Sequence, residues 1–128
     1  MAKKDNKVRV AIIGVGNCAA ALVQGVEYYK NAADNEEIPG LMHASVGGYH
    51  VRDIEFTAAI DVVASKVGKD LSEAIWAAPN NTTEFAKVPH MGIPVSRGMT
   101  HDGIGKYLAM KTEKAEGPTD DIIGILKE

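Results

Sequence analysis

The sequence predicts an α/β fold, with a Rossmann-like parallel sheet and flanking helices, on three observations. Short apolar runs rich in β-branched residues alternate with segments whose apolar residues recur every three or four positions. The strand-like and helix-like segments follow one another without a run of consecutive β-hairpins, which indicates a parallel sheet covered by helices. A glycine-rich turn joins the first strand to the first helix.

That turn lies within residues 8–25, VRVAIIGVGNCAAALVQG, after an apolar strand at 8–13. Gly14 permits a tight turn, Gly16 has no Cβ to keep a pyrophosphate off the backbone, and Ala19 takes the third position of G-x-G-x-x-G/A. A buried strand, a glycine turn and a helix N-terminus in this order make a phosphate-binding site. The alternative is a strand-turn-helix in which the glycines only make the turn.

The first helix begins at Asn17, and spacings of three and four predict its apolar face from Ala19, Leu22, Val23, Val26 and Tyr29. Residues 31–40 are polar and end in Pro-Gly, so we expect a loop there. Residues 41–53 contain two adjacent glycines and are expected to form an irregular excursion or a hairpin. The second strand is predicted at 54–60, and Asp61 ends it.

A second helix is predicted with Leu71, Ala74, Ile75 and Ala78 on one side. Residues 79–82 end this helix, a third strand follows at 93–96, and a loop at 97–103 lies at the carboxyl end of that strand. A further helix is predicted to begin with Ile104, Tyr107 and Leu108, and a final helix to carry Ile122, Ile125 and Leu126 on one face. The next element in this alternation is a strand. We therefore expect residues 1–128 to be an incomplete domain in the order strand-helix-strand-helix-strand-helix, in which the helical part after the third strand is interrupted at 117–119 and the fourth strand is absent.

The composition narrows the classes of function and the compartments that we expect for the protein. A chain of 128 residues with a net charge of −3 has room for one core and gives no basic footprint for nucleic acid or an anionic membrane. The N-terminal seven residues are polar, and glycines interrupt the longest apolar stretch, so we expect neither a signal peptide nor a membrane span. The single cysteine, Cys18, fits a reducing compartment, and we expect a cytoplasmic protein. An open sheet edge would favour a homo-oligomer or a complementing chain.

Asp61 is the second candidate site residue. A carboxylate at the end of the second strand accepts hydrogen bonds from both ribose hydroxyls and repels a 2′-phosphate, which predicts NAD rather than NADP. Asp61 comes 45 residues after Gly16, against a usual separation of about 20, and the excursion at 31–53 accounts for the excess. The alternative is a solvated aspartate at a strand end. Lys66 lies nearby in sequence and could pair with a phosphate.

For each of the other candidate polar residues, the sequence leaves two interpretations open. Asp70 has the spacing to Glu73 of an N-terminal capping pair, or it contacts the adenosine. Cys18 lies in the first turn of a helix, where the dipole favours a thiolate, but without a recognisable base it reads better as a small residue near the pyrophosphate. The loop residues Thr100, His101 and Asp102 either line a ligand crevice or belong to an ordinary surface loop. We expect no metal site, because the spacing of the histidines fits no ligand pattern: His43, His50, His90 and His101.

Four segments together resemble the myo-inositol-1-phosphate synthase family, in its shorter bacterial branch. They are VRVAIIGVGNCAAALVQGVEYYKNA at 8–32, PGLMHASVGGYHVRDIEFTAAIDV at 39–62, KVGKDLSEAIWAAPNNT at 66–82 and RGMTHDGIGKYL at 97–108. The resemblance covers almost the whole chain, and it departs from the family's RG-P-T-x-DG pattern by having Met99 in place of proline. It also makes the long excursion before Asp61 a family feature.

The resemblance implies a reaction and a cofactor. Members of the family convert glucose 6-phosphate to inositol phosphate by oxidation, intramolecular aldol closure and reduction, with tightly bound NAD regenerated. The matching positions imply pyrophosphate contacts at Gly14, Gly16, Asn17 and Cys18, a ribose contact at Asp61 and a further cofactor contact at Asp70.

The family's catalytic lysines, substrate-phosphate ligands and tetramer-forming sheet lie beyond the matched region. We therefore expect residues 1–128 to be the N-terminal portion of the NAD-binding domain, without a catalytic residue and inactive alone. One alternative is a non-catalytic NAD-binding module or a partner subunit of a split enzyme. Another is a Rossmann-like protein that uses S-adenosylmethionine.

Overall fold

Three parallel strands and the helices beside them form the body of the protein, in a computed structural model that describes residues 6–101 and 103–128. In chain order the elements are β1 (Val8–Ile13), α1 (Asn17–Tyr29), β2 (Ser45–Val46), β3 (Tyr49–His50), a 3₁₀ turn (Val51–Asp53), β4 (Ile54–Asp61), α2 (Leu71–Ala74), β5 (Val95–Arg97), a 3₁₀ turn (Leu108–Met110) and α3 (Ile122–Lys127). The sheet order is β1-β4-β5, with both pairs parallel. The predicted α/β class is confirmed.

The register of the sheet decides which side chains enter the core. β1 pairs with β4 from Val8 opposite Ile54 to Ile13 opposite Ile60, with a bulge in β4 between Phe56 and Ala58. The extra residue bends β4 locally and increases its twist. The core face of the sheet packs against α1 and α2 through Ile12, Val15, Ala20, Val23, Phe56, Ala59, Leu71, Ile75 and Val95, among others.

The excursion between α1 and β4 is a short hairpin, as one of the two predicted forms required. β2 and β3 pair antiparallel, and Gly47 and Gly48 make the turn with φ of +61° and +85°. The imidazole of His50 is buried, and it ties the hairpin to the end of α1 because Nε2 lies 2.8 Å from the carbonyl oxygen of Ala32. The Arg52 N–H donates to Nδ1 of the same ring.

The predicted face of the first helix was partly wrong. Leu22 is 46% exposed, whereas Gln24 is fully buried. The amide of Gln24 binds an extended segment of the chain, since Oε1 accepts from the N–H groups of Phe85 and Ala86 and Nε2 donates to the Thr83 carbonyl. A polar residue therefore occupies a place that hydrophobic spacing cannot identify.

Three other elements differ from the predictions. α2 has only four residues, and Ala78 lies beyond it and is exposed. The third sheet strand begins at Val95 rather than at residue 93, because the Ile93 N–H donates to Asp70 and Pro94 has no N–H for a ladder. A three-residue 3₁₀ turn replaces the helix predicted from Ile104.

The reason for that replacement lies in the backbone and in burial. Gly103 and Gly105 both have positive φ, which a right-handed helix excludes, and Tyr107 and Leu108 are exposed rather than packed. The final helix is confirmed as α3, capped by Asp121, but of its predicted apolar face only Ile122 and Ile125 are partly buried, and Leu126 is 51% exposed. Among the described residues, no helix combines the length and the apolar run needed to cross a membrane. The predictions for residues 1–5 lie outside the described residues.

Candidate functional site

The glycine turn joins β1 to α1 at the carboxyl edge of the sheet. Gly14 has φ +92°, a left-handed conformation that favours glycine, and its N–H donates to the Ile60 carbonyl over 2.8 Å. Gly16 is the N-cap residue of α1, with an extended backbone at φ −93°. A Cβ placed on Gly16 meets nothing within 4 Å. Neither backbone strain nor packing within the described chain therefore requires glycine at position 16.

Asp61 reaches this turn from the end of β4. Its Oδ2 accepts from the Val15 N–H over 2.7 Å, and its Oδ1 accepts from the N–H groups of Val62 and Val63 over 2.7 and 2.9 Å. The carboxylate is partly buried. The structure thus brings Gly14, Gly16 and Asp61 to one place, although Asp61 comes 45 residues after Gly16 in the sequence.

Lys66 lies beneath the turn, with 3% of its surface exposed. Its ammonium donates to the Val15 carbonyl over 2.7 Å and to Asn80 Oδ1 over 2.9 Å. Burial lowers the pKa of Lys66 from its ordinary value, and the attraction of Asp61 partly opposes that shift. The phosphate contact considered for Lys66 does not match this placement, because the described ammonium faces backbone and amide oxygens inside the protein.

The segment after α2 completes the turn, and the sequence prediction missed its role. Asn80 Nδ2 donates to the carbonyls of Val15 and Ile75 over 3.1 and 3.0 Å. Asn81 exchanges two hydrogen bonds with the Asn17 side chain, each 2.9 Å long.

Thr82 Oγ1 also donates to Asn17 Oδ1, over 2.8 Å. The amide of Asn17 is therefore engaged by the chain itself, so a cofactor contact at Asn17 would come from its backbone. Three consecutive polar residues after a helix were the available signal, and they were interpreted only as a helix end.

A crevice of about 440 Å³ opens at the carboxyl ends of the three sheet strands. Its lining is mostly apolar and comes from the end of each strand and from the C-terminal segment: Ile13, Gly14, Ile60, Asp61, Val62, Gly98, Met99, His101, Thr119 and Ile122. Gly98 packs closely here, since a Cβ on it would lie 2.7 Å from Ile60 Cγ2. Ligands of open parallel sheets bind in this position.

The loop after β5 contributes to the crevice, as one of its two interpretations required. His101 lines it, and the Thr100 hydroxyl is buried without a hydrogen-bond partner among the described residues. Asp102 lies outside the described residues. Cys18 is the second residue of α1 and is exposed, so it is not packed in the core.

Asp70 has a different place. It is the N-cap residue of α2 and 8% exposed, and its carboxylate accepts from the Ser72 hydroxyl and from the N–H groups of Ser72, Met91 and Ile93. Burial acts to raise the pKa of Asp70, but these hydrogen bonds outweigh it and lower the pKa to about 2. His90 Nδ1 lies 3.6 Å from the same carboxylate. The capping interpretation describes Asp70, and the adenosine contact gains no support from this geometry.

Comparison with known proteins relates the whole chain to one family. No family model matches the sequence. The chain is 55% identical over 128 residues to an inositol-3-phosphate synthase of Mycolicibacterium smegmatis, covering 100% of this chain and 35% of that protein. It is 57% identical over 124 residues to an inositol-3-phosphate synthase of Mycobacterium tuberculosis, covering 97% of this chain and 34% of that protein.

A solved structure is also similar to most of this chain. The crystal structure of Ari2 is similar with a TM-score of 0.66 and 36% identity, over 73% of this chain and 29% of that one. The chain spans about a third of the length of the curated relatives it matches. By these matches it belongs to the inositol-3-phosphate synthase family, and it corresponds to the N-terminal part of that family's members.

Proposed function

We propose that this chain binds NAD and forms the dinucleotide-binding part of an inositol-3-phosphate synthase. The observation that carries the proposal is the open space at Gly16. Because φ is −93° and a Cβ would meet nothing within 4 Å, the chain itself would tolerate a side chain here. A glycine in such a place fits a ligand that approaches the backbone closely.

The start of α1 suits the pyrophosphate. The helix has 13 residues, and its N-cap residue, Gly16, has no side chain with which to cap the first N–H groups. These donors and the positive end of the helix dipole attract an anion. Gly14 and Gly16, with the backbone of Asn17 and Cys18, would hold the two phosphates.

Asp61 would bind the adenosine ribose. Among the described residues its Oδ1 has two hydrogen-bond donors and its Oδ2 has one, and a carboxylate oxygen has two lone pairs. Oδ2 therefore keeps acceptor capacity at the wall of the crevice. The negative charge would also repel a 2′-phosphate, so NAD should bind more tightly than NADP. The apolar lining at Ile13, Val62 and Met99 offers surface for a ring of the cofactor.

We propose 1L-myo-inositol 1-phosphate as the product of the whole enzyme, in keeping with the relatives' name, and glucose 6-phosphate as its substrate, as the family resemblance of the sequence implies. Bound NAD would supply the hydride acceptor for the oxidation and the hydride donor for the reduction. The residues of this chain would orient the cofactor, and no catalytic residue is assigned among them. Cyclisation would then need residues from outside this chain, in the same polypeptide, a second copy or a complementing chain.

Calorimetric titration of the 128-residue chain with NAD and NADP tests the proposal. We expect weak binding of NAD and weaker binding of NADP. Tighter binding of NADP, or binding of neither cofactor, contradicts it. Mixing the chain with one that carries the remainder of a relative then tests the reaction, because a chain that belongs to a synthase should restore cyclisation of glucose 6-phosphate.

A further inference from the structure

Both polar groups of the Val15 backbone are held by side chains from elsewhere in the chain. The N–H donates to Asp61 Oδ2, while the carbonyl accepts from Lys66 Nζ over 2.7 Å and from Asn80 Nδ2 over 3.1 Å. Val15 itself is fully buried. The middle residue of the glycine turn is thus fixed in orientation, since rotating either peptide plane would break at least one of these bonds.

This fixation determines where the Gly16 N–H points. The peptide between Val15 and Gly16 is trans, so its C=O and N–H point in opposite directions. The carbonyl is turned inward, because Lys66 is 3% exposed. The Gly16 N–H therefore points away from Lys66 and outward, and a Cβ on the same residue would also meet no atom within 4 Å.

The identity of one donor carries further information. A buried ammonium is costly, and here it lies beside the start of α1, whose dipole end is also positive. A neutral donor such as the amide of Asn80 would satisfy the carbonyl without that cost. The excess positive charge beneath the turn is offset in part by Asp61, and an anion bound at the turn would offset it further.

We infer that Lys66 and Asn80 are positioning residues for the dinucleotide pyrophosphate, which they serve by holding the Val15 carbonyl inward so that the Gly16 N–H faces the phosphates. The inference rests on the proposed function. Lys66 also contributes a buried positive charge behind the site. Neither residue touches the cofactor, so each acts through the turn.

Titration of the 128-residue chain with NAD, ADP and adenosine tests this inference. Lys66→Met should weaken NAD and ADP about tenfold to a hundredfold, as expected for loss of a charged hydrogen bond, and leave adenosine unchanged. Asn80→Ala keeps the ammonium and should weaken ADP by a smaller factor. Lys69→Met is the matched control, because Lys69 is an exposed lysine three residues away, and it should change none of the three affinities.

The outcomes separate this inference from the proposed function. If the unmodified chain binds neither NAD nor ADP, both proposals are wrong. If it binds them and both variants match it, only the positioning role is overturned. An equal loss of adenosine and ADP in folded Asn80→Ala, with folding checked by circular dichroism, would indicate general damage and also overturn that role.

A second readout does not depend on affinity. In chain labelled with ¹⁵N glycine, the Gly16 amide resonance should shift on adding ADP at saturating concentration. The shift should be smaller in Asn80→Ala at equal saturation, because only Lys66 then holds the Val15 carbonyl inward and the Gly16 amide is less firmly oriented. If the ADP-induced shift of the Gly16 amide is as large in Asn80→Ala as in the unmodified chain, the inference is overturned.

Discussion

Lys66 and Asp61 hold the two polar groups of one backbone residue, Val15. Lys66 Nζ lies 2.7 Å from the Val15 carbonyl oxygen, and Asp61 Oδ2 lies 2.7 Å from the Val15 nitrogen. Asp61 ends β4 and Lys66 follows it by five residues, so the end of one strand orders the turn that ends its neighbour. The glycine turn is therefore held in one conformation by the chain itself, which would lower the conformational cost of binding a ligand there.

Gly14 and Gly16 should respond differently to substitution by alanine. Gly14→Ala places a Cβ on a backbone with φ +92° and should lower the free energy of unfolding by about 1–2 kcal/mol. Gly16→Ala loses some N-cap preference but also restricts the unfolded chain, and these opposing effects, each under about 1 kcal/mol, should nearly cancel. Urea denaturation measures both.

Gly16→Ala should also separate an effect on NAD binding from an effect on stability. Gly16→Ala should weaken NAD at least tenfold in calorimetry while its unfolding midpoint stays close to that of the unmodified chain, since the new methyl group occupies the approach to the backbone. A variant that keeps full NAD affinity would show that no ligand comes close to Gly16, and the site would have to be placed elsewhere.

Asp61→Asn should narrow the difference between NAD and NADP. The amide removes the negative charge that would repel a 2′-phosphate, and it weakens the hydrogen bonds from the Val15 and Val62 N–H groups. We expect NAD affinity to fall about tenfold and NADP affinity to change less. Glu55→Gln is the control, because Glu55 is an exposed carboxylate on the same strand. A ratio of the two affinities that stays the same in Asp61→Asn contradicts the ribose assignment.

Much of this fold follows from local sequence patterns. The first strand and the start of α1 were predicted at their observed residues, because a β-branched run, two glycines and a helical spacing all agree there. The third strand and the helix predicted from Ile104 were displaced or lost, since Asp70 captures the Ile93 N–H and glycine φ values interrupt the later segment. The first cause is a tertiary contact and the second is a pair of backbone angles, and neither leaves a periodic signal in the sequence.

The site was predictable only in part for the same reason. Gly14, Gly16 and Asp61 carry a recognised pattern, and the structure brings them together. Asn80 and Lys66 belong to no such pattern, because the backbone carbonyl to which they donate lies 51 or more positions away in the sequence. A sequence shows which side chains donate hydrogen bonds, but only the fold shows which carbonyl they reach.

Asp70 should make the protein sensitive to acid. Its folded-state pKa of about 2 lies below the ordinary value of 3.8, so the carboxylate stabilises the fold above pH 4. That stability should be lost as the pH falls from about 4 to 2, amounting to about 2 kcal/mol. Urea unfolding at several pH values measures the slope. Asp70→Asn should be less stable at pH 7 and show a flatter acid limb, whereas the exposed Glu84→Gln should keep the slope. An Asp70→Asn limb as steep as that of the unmodified chain would assign the acid sensitivity to other groups.

Gln24 and Leu22 test whether the core face of α1 is the one that hydrophobic spacing predicts or the one in the structure. Gln24→Leu removes three hydrogen bonds to the segment at 83–86 and leaves the Phe85 and Ala86 N–H groups without their partner. Such a loss should lower the free energy of unfolding by about 2–3 kcal/mol, although the new side chain is more apolar.

Leu22→Ala is the matched substitution, because Leu22 is 46% exposed and its truncation should cost less than about 1 kcal/mol. Hydrophobic spacing alone predicts the reverse order, with Leu22 in the core and Gln24 on the surface. Urea unfolding of the two variants therefore decides between the two faces, and a larger loss for Leu22→Ala would mean that α1 is rotated from the orientation described.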